Sequence, residues 1–444
     1  GAGLRLDGLL AGRDITTESV GDTTGGPMDA GRDLTVAAGY DEGEPAGISG
    51  ILLHSARGES VDLRATGDIR IRDRDGYADP AALVEADATA TLTAGGDIEV
   101  AKVRSGDDTV ATGGGSLTFD TVDSGTDVVL DAGDDIVVFD VSSGGDQTLR
   151  AGGSIDFDRL DAGGTIESTS RGDTTGRQAV AGGDATLVAG VQPDAERPLA
   201  APILRTSDLR VESVTGTAVW LRAGGENLIE TIGARTTAKL QGRAIDATVR
   251  DIDGGRIDMA FSAGDGGLAD TVRLDVISAG LVAFDPAYAR DARIDTTSER
   301  VRIANGWITE WFSLDTPRAE IVMDQMDPTA RPVDFQLREL DERFALQVDG
   351  DVMLTDAYIQ HYRGGYANAV PNFVRDHGNT RRDVNGESAE RKITRAMGDG
   401  PGESVLGRAP SGPIPPTVPL GTAPDGASVN LDTRPSAPGD DAGI

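Results

Sequence analysis

The sequence predicts an all-β protein, a right-handed parallel β-helix, from three observations. A repeat recurs every 19 residues without a gap, glycines hold fixed places in each copy, and aliphatic residues alternate with polar ones between them. The repeat is clearest in Ala94-Gly95-Gly96-Asp97-Ile98, Gly113-Gly114-Gly115-Ser116-Leu117, Ala132-Gly133-Asp134-Asp135-Ile136 and Ala151-Gly152-Gly153-Ser154-Ile155. Ile98, Leu117, Ile136 and Ile155 share a column, as do Val100, Phe119, Val138 and Phe157. Val103, Val122, Val141 and Leu160 form a third column, and Leu92, Ala111, Leu130 and Leu149 a fourth. Gly106, Gly125, Gly144 and Gly163 close each copy.

Each element of one coil follows from its residues. Ile98 and Val100 point one way and Asp97 and Glu99 the other, the period of a strand. Gly95-Gly96 and Gly106 end strands, and at sharp corners they are expected to supply positive φ. Leu92 and Ala94 belong to a strand before the first corner, and Val103 to a third strand beyond it. One such coil buries too few side chains to offset the entropy of ordering its backbone, so copies must stack.

Copies with the same motif extend the pattern. Upstream lie Ala11-Gly12-Arg13-Asp14-Ile15, Ala30-Gly31-Arg32-Asp33-Leu34 and Ala65-Thr66-Gly67-Asp68-Ile69. Downstream lie Ala181-Gly182-Gly183-Asp184-Ala185 and Ala223-Gly224-Gly225-Glu226-Asn227-Leu228. Asp73 to Leu83 and the stretch from Gln192 to Pro202 read as loops that leave the coils. The repeat region with its insertions is placed at 1–280. Residues 281–380 hold 11 of the 18 aromatics, Trp307, Trp311 and Phe312 among them, so 281–374 is read as irregular final coils and a cap over the open sheet edge. Nine of the 20 prolines fall in 401–444, and 375–444 is read as a disordered tail.

Composition narrows the function. The formal charge of −33 repels phosphate backbones and anionic bilayers, which argues against a nucleic-acid or membrane-surface partner. Such a surface would attract calcium only weakly and diffusely, and no cofactor is expected. With no cysteine there is neither a disulfide framework nor a thiolate metal site. No run of about 18 apolar residues exists to span a bilayer as a helix. The chain opens at Gly1 inside the repeat pattern and reads as a fragment or a processed product.

Several residues are candidates for chemistry. Arg171-Gly172-Asp173 is an Arg-Gly-Asp tripeptide in a stretch read as an insertion, and it is the candidate binding site for a host receptor. Gly264-Asp265-Gly266-Gly267-Leu268-Ala269-Asp270 is similar to a calcium-binding glycine-aspartate repeat, but as a single copy it reads as a polar corner. Asp97, Asp135, Asp156 and Asp158 fall on outward columns where an enzyme of this fold would place carboxylates. No column is seen to collect Lys or Arg beside them, so they read as a solvated face. His54, His361 and His377 lack metal-ligand spacing, and Tyr358, Tyr362 and Tyr366 read as packing residues. No catalytic or metal residue is assigned.

The A-G-G-D-I-x-V pattern of Ala94 to Val100 and Ala132 to Val138, on an acidic and cysteine-free chain, resembles the filamentous haemagglutinin-like exoproteins of bacterial two-partner secretion. The resemblance covers about residues 1–240 and does not include that family's N-terminal secretion domain. It implies export through an outer-membrane pore partner, folding outside the cell, and attachment to a host-cell or matrix ligand, carbohydrate included. The expected function is a secreted or cell-surface adhesin rod without catalysis, active in attachment or biofilm. The alternative on the same fold is a polysaccharide lyase or glycoside hydrolase.

Overall fold

The computed structural model describes residues 3–72, 83–193, 199, 201–204 and 206–298, and beyond these the backbone of the strands named below. It is a parallel β-solenoid that divides into two compact units, Gly1–Gly225 and Glu226–Ile444.

The first unit is most regular from residue 98 to 189. Strand Ile98–Ser105 pairs in parallel with Leu117–Ser124, that strand with Ile136–Ser143, and so on through Ile155–Ala162 and Thr174–Ala181. Thr109–Gly113, Val128–Ala132, Gln147–Ala151, Ile166–Ser170 and Ala185–Ala189 form the companion ladder. Each eight-residue strand contributes two sides of the coil. Val100 and Val103 are both buried, although a straight strand would point them to opposite faces, so the chain bends between them. The ladder skips Ala101, Asp120, Phe139 and Asp158 at this bend.

The columns read from the sequence lie over one another. Ile98 pairs with Leu117, Leu117 with Ile136 and Ile136 with Ile155, all of them buried. Val100, Phe119, Val138 and Phe157 alternate small and large side chains up the axis. Gly176 ends this alternation, and the Phe157 ring fills the space its Cβ would need. Inside one corner, Ser105 hydrogen-bonds with Thr109 (2.8 Å) and with Ser124 one coil on (3.0 Å), so these buried hydroxyls are satisfied.

The glycines act differently from expectation. None of Gly95, Gly96, Gly106 or Gly125 has a positive φ. They are required because the corners stack too closely for a side chain. A Cβ on Gly125 would overlap the carbonyl oxygen of Gly106, one on Gly144 that of Gly125, and one on Gly133 that of Gly114. Among the described residues, left-handed backbone falls at loop positions such as Gly43 (φ 84°), which closes the hairpin of Tyr40–Asp41 and Glu44–Pro45.

Flanking copies also take a different register. Ile15 pairs with Leu34, Leu34 with Val61, Val61 with Ala90, and Ala90 with Thr109. The motifs at 11–15 and 30–34 therefore stack with Ser105-Gly106-Asp107-Asp108-Thr109, not with Ala94 to Ile98. Ala181 to Ala185 joins the same second corner through Ile166. Only the Asp68-Ile69 copy upstream sits under Ile98. The insertion after Ala189 folds back, with Val188, Val191 and Ala201 buried together beside Leu199 and Ile203. Residues 73–82, most of the other predicted insertion, lie outside the described residues.

The second unit keeps the parallel pairing with less even spacing. Strand Glu226–Gln241 pairs with Ala244–Asp251 and Arg256–Ser262, which pair in turn with Ala269–Ile277 and Leu281–Thr296. Its core includes Phe261 and Phe284, packed edge to face at 5.9 Å. Residue 281 begins a strand whose parallel partner Arg300 lies 19 residues on. Parallel pairing continues through Gly306–Thr316, Glu320–Met323, Arg343–Val348 and Asp351–Thr355. Ser428–Asp432 and Thr417–Thr422 then add antiparallel strands to the last two. The rest of 375–444, His361, His377 and Tyr358, Tyr362 and Tyr366 lie outside the described residues.

Candidate functional site

Many carboxylates of the repeat stand at its corners, where they hold coils together. At the first corner, Asp68 accepts the backbone N–H of Asp97 (3.0 Å), and Asp97 accepts that of Ser116 (2.9 Å). The Ser116 hydroxyl accepts the N–H of Asp135 (3.4 Å), and Asp135 accepts that of Ser154 (2.7 Å). A second ladder runs from Asp108 to the N–H of Asp127, from Asp127 to that of Asp146 and from Asp146 to that of Thr165. In each case a side-chain oxygen meets an amide at the start of a strand. Asp97 and Asp135 are thus exposed without being merely solvated, and serine alternates with them because its hydroxyl serves the same end.

Asp108 shows the electrostatic result. The Thr126 hydroxyl and the Asp127 amide both donate to it and hold its carboxyl below the usual carboxylate range. A depressed folded pKa means that the stabilisation is complete above the unfolded value of about 3.9 and is lost as pH falls through the folded value. Asp108→Asn should therefore lower the denaturation midpoint at neutral pH. Its difference from the parent should shrink as the pH drops below about 4. Denaturant titration across that range checks this, and a constant difference would refute it.

Arg171-Gly172-Asp173 is not in an insertion. It is the first corner of a regular coil, the counterpart of Gly152-Gly153-Ser154 one coil earlier. Arg171 and Gly172 donate their N–H groups to Ala151 and Gly153, and the Asp173 carboxylate accepts the N–H of Asp208 at 2.9 Å. Gly172 and Asp173 thus fill the places that glycine and a side-chain acceptor hold at the other corners. Gly264 to Asp270 includes a tight turn in which Asp265 accepts the Gly267 N–H at 2.9 Å and Gly266 adopts φ 84°. Among the described residues no group of three or more His, Cys, Asp or Glu is arranged to hold a metal ion. Likewise no helix among them is long and apolar enough to cross a membrane.

Basic residues do stand beside the outward carboxylates, contrary to the sequence reading. Arg177 pairs with Asp158 of the preceding coil at 2.8 Å, and the Thr175 hydroxyl donates to Asp156 at 3.1 Å. On another column Arg57, Glu85, Arg104 and Asp123 alternate in sign over four coils at 3.2, 3.8 and 3.6 Å. Such exposed pairs contribute about 0–1 kcal/mol each, and their alternation favours one register over a shifted one.

Sequence reasoning missed the concave feature of the second unit, a groove of about 660 Å³ on the face of strands Ala244–Asp251, Ala269–Ile277 and Leu281–Thr296. Its polar lining is Asp246, Thr271, Arg273, Asp275, Asp291, Arg293 and Asp295. Pairing sets Arg273 between Asp246 and Arg293, Thr271 beside Asp291, and Asp275 beside Asp295. Arg293 pairs with Asp295 at 3.0 Å, while Arg273 has no ion-pair partner among the described residues. The signal was present in the chain: Thr271-Val272-Arg273-Leu274-Asp275 and Asp291-Ala292-Arg293-Ile294-Asp295 are the same alternating pattern, 20 residues apart. Compared with known proteins, the chain matches no family model, no curated protein and no solved structure.

Proposed function

We propose that this chain is a length of the shaft of an exported, cell-surface adhesin, a scaffold that presents binding groups rather than a catalyst. One observation carries the reading. The carboxylates that an enzyme of this fold would have to align for proton transfer, Asp97 and Asp135 among them, are tied to backbone amides of the next coil. Asp156 and Asp158 are engaged by Thr175 and Arg177. These four carboxylates are thus engaged in stacking and register, which supports a scaffold over acid–base work. The likeness of Ala94 to Val100 to two-partner exoproteins supports export through an outer-membrane pore partner and folding outside the cell.

The rival is a polysaccharide lyase or glycosidase, and the observation in its favour is the groove, where Asp275 and Asp295 stand side by side near two arginines. Beads carrying the full chain should adhere to at least one of a set of collagen-, fibronectin- and polysaccharide-coated surfaces. The same protein should release no reducing ends or unsaturated sugars from those polysaccharides. Turnover that disappears with Asp275→Asn would defeat the shaft reading in favour of the enzyme. Absence of adhesion to every surface would defeat it outright.

A further inference from the structure

The groove on the second unit contains an arrangement that the fold does not ask for. On the first unit one outward column alternates in sign, Arg57, Glu85, Arg104 and Asp123, and where aspartates stack at a corner, as Asp108, Asp127 and Asp146 do, Asp108 and Asp127 each accept a backbone amide of the next coil. In the groove Arg273 is set directly beside Arg293 on the next coil, and Asp275 directly beside Asp295. Like charges on neighbouring strands, about 4.8 Å apart, work against the sheet. Arg273 does not relieve this with an ion pair among the described residues. A local arrangement that costs stability without benefit to packing points to a ligand.

We propose that this groove binds a neutral, polyhydroxylated chain, a polysaccharide laid across the coils. The inference rests on the adhesive reading above and supplies its ligand class. Guanidinium groups only donate hydrogen bonds and carboxylates only accept them, and here the two types stand in adjacent columns. A hydroxyl donates and accepts, so a ligand dense in hydroxyls satisfies both columns at once. Charge disfavours a polyanion, and the central arginines work against an oligocation. A polyanion would face Asp246, Asp275, Asp291 and Asp295, and an oligocation would meet Arg273 and Arg293 at the centre. The volume of about 660 Å³ falls within the range of about 300–1,000 Å³ that small-molecule sites occupy, enough for a few sugar rings. The polar groups rise from sheet rather than from loops, so their backbone positions are set before the ligand arrives.

The test uses the full chain in calorimetric titrations with hexasaccharides of β-1,4-glucose, β-1,3-glucose, mannose, xylose and N-acetylglucosamine. Polygalacturonate and hexalysine serve as the charged comparisons. At least one neutral hexasaccharide should bind, with affinity little changed by salt because no net charge is neutralised. Arg273→Ala and Asp275→Asn should each weaken it by about tenfold or more, the usual cost of removing one charged hydrogen-bonding partner. Arg104→Ala, on the first unit, should leave it unchanged. Arg273→Ala should also keep or raise the thermal midpoint, since it removes a like-charge neighbour, and this separates lost binding from lost folding. The proposal is overturned if no neutral hexasaccharide binds, if Arg273→Ala binds as the parent does, or if polygalacturonate or hexalysine proves to be the ligand displaced from these residues. Surface adhesion that survives Arg273→Ala overturns the groove and leaves the adhesin standing. Cleavage of a bound hexasaccharide does the reverse.

Discussion

Gly125→Ala is expected to destabilise the first unit by about 3 kcal/mol, the upper end of the cost of forcing a methyl group into a filled space. The new Cβ would overlap the carbonyl oxygen of Gly106 in the coil below. That obstacle is main chain held in a ladder, so neither coil can yield without loss of axial hydrogen bonds such as Gly125 N–H to Ser105 O (3.0 Å). The same substitution at Gly12 should change stability by a few tenths of a kcal/mol at most, or raise it by up to about 1 kcal/mol through the unfolded chain. Nothing lies within 4 Å of the Cβ position there. Both glycines stand in corner motifs, so the contrast separates stacking from any intrinsic demand of the motif. Urea denaturation of the two variants would show it, and equal midpoints would contradict the stacking argument.

Leu130→Ala should cost about 3–5 kcal/mol, near the top of the range for large-to-small changes in a core. Leu130 is fully buried, and its column neighbour one coil below is already Ala111. Leu149 above cannot fill both gaps, so the void stays open. In a solenoid each coil rests on its two neighbours, so damage should remain local. Hydrogen exchange should accelerate in 111–149 well before it does near Leu34 or Val219. Uniform acceleration across the unit would mean that the coils unfold as one body, contrary to the nearest-neighbour view.

The columns of 92–163 were legible in the chain because that stretch has no insertion, so equal spacing in sequence is equal height along the axis. The flanking copies were misplaced for a chemical reason. Both corners of a coil use a small residue, a glycine and a short side-chain acceptor, most often aspartate, so Ala30-Gly31-Arg32-Asp33 fits either one, and insertions of unknown length erase the phase. The role of glycine was misjudged because sequence cannot separate a demand for positive φ from a demand for close approach. Gly106 and Gly43 are the same letter with different duties. Asp97 looked like surface charge because its partner is an amide 19 residues away, and backbone groups leave no mark in composition. The Arg-Gly-Asp tripeptide was placed in an insertion for the same reason, although Asp173 is one more rung of that ladder. The groove could have been found by asking which outward residues repeat rather than which inward ones do.

The coils from 98 to 173 are linked covalently one after another and held side by side by their ladders and by the buried columns between them. A tug on the two ends of that stretch therefore meets a row of similar clasps in series, each coupled to its neighbours. Each clasp that opens releases about 19 residues, roughly 60 Å of slack at about 3.3 Å per residue, where about 4.8 Å of length had been. Such a stack of coils should absorb a jolt by lengthening in steps, while the portions still wound continue to hold.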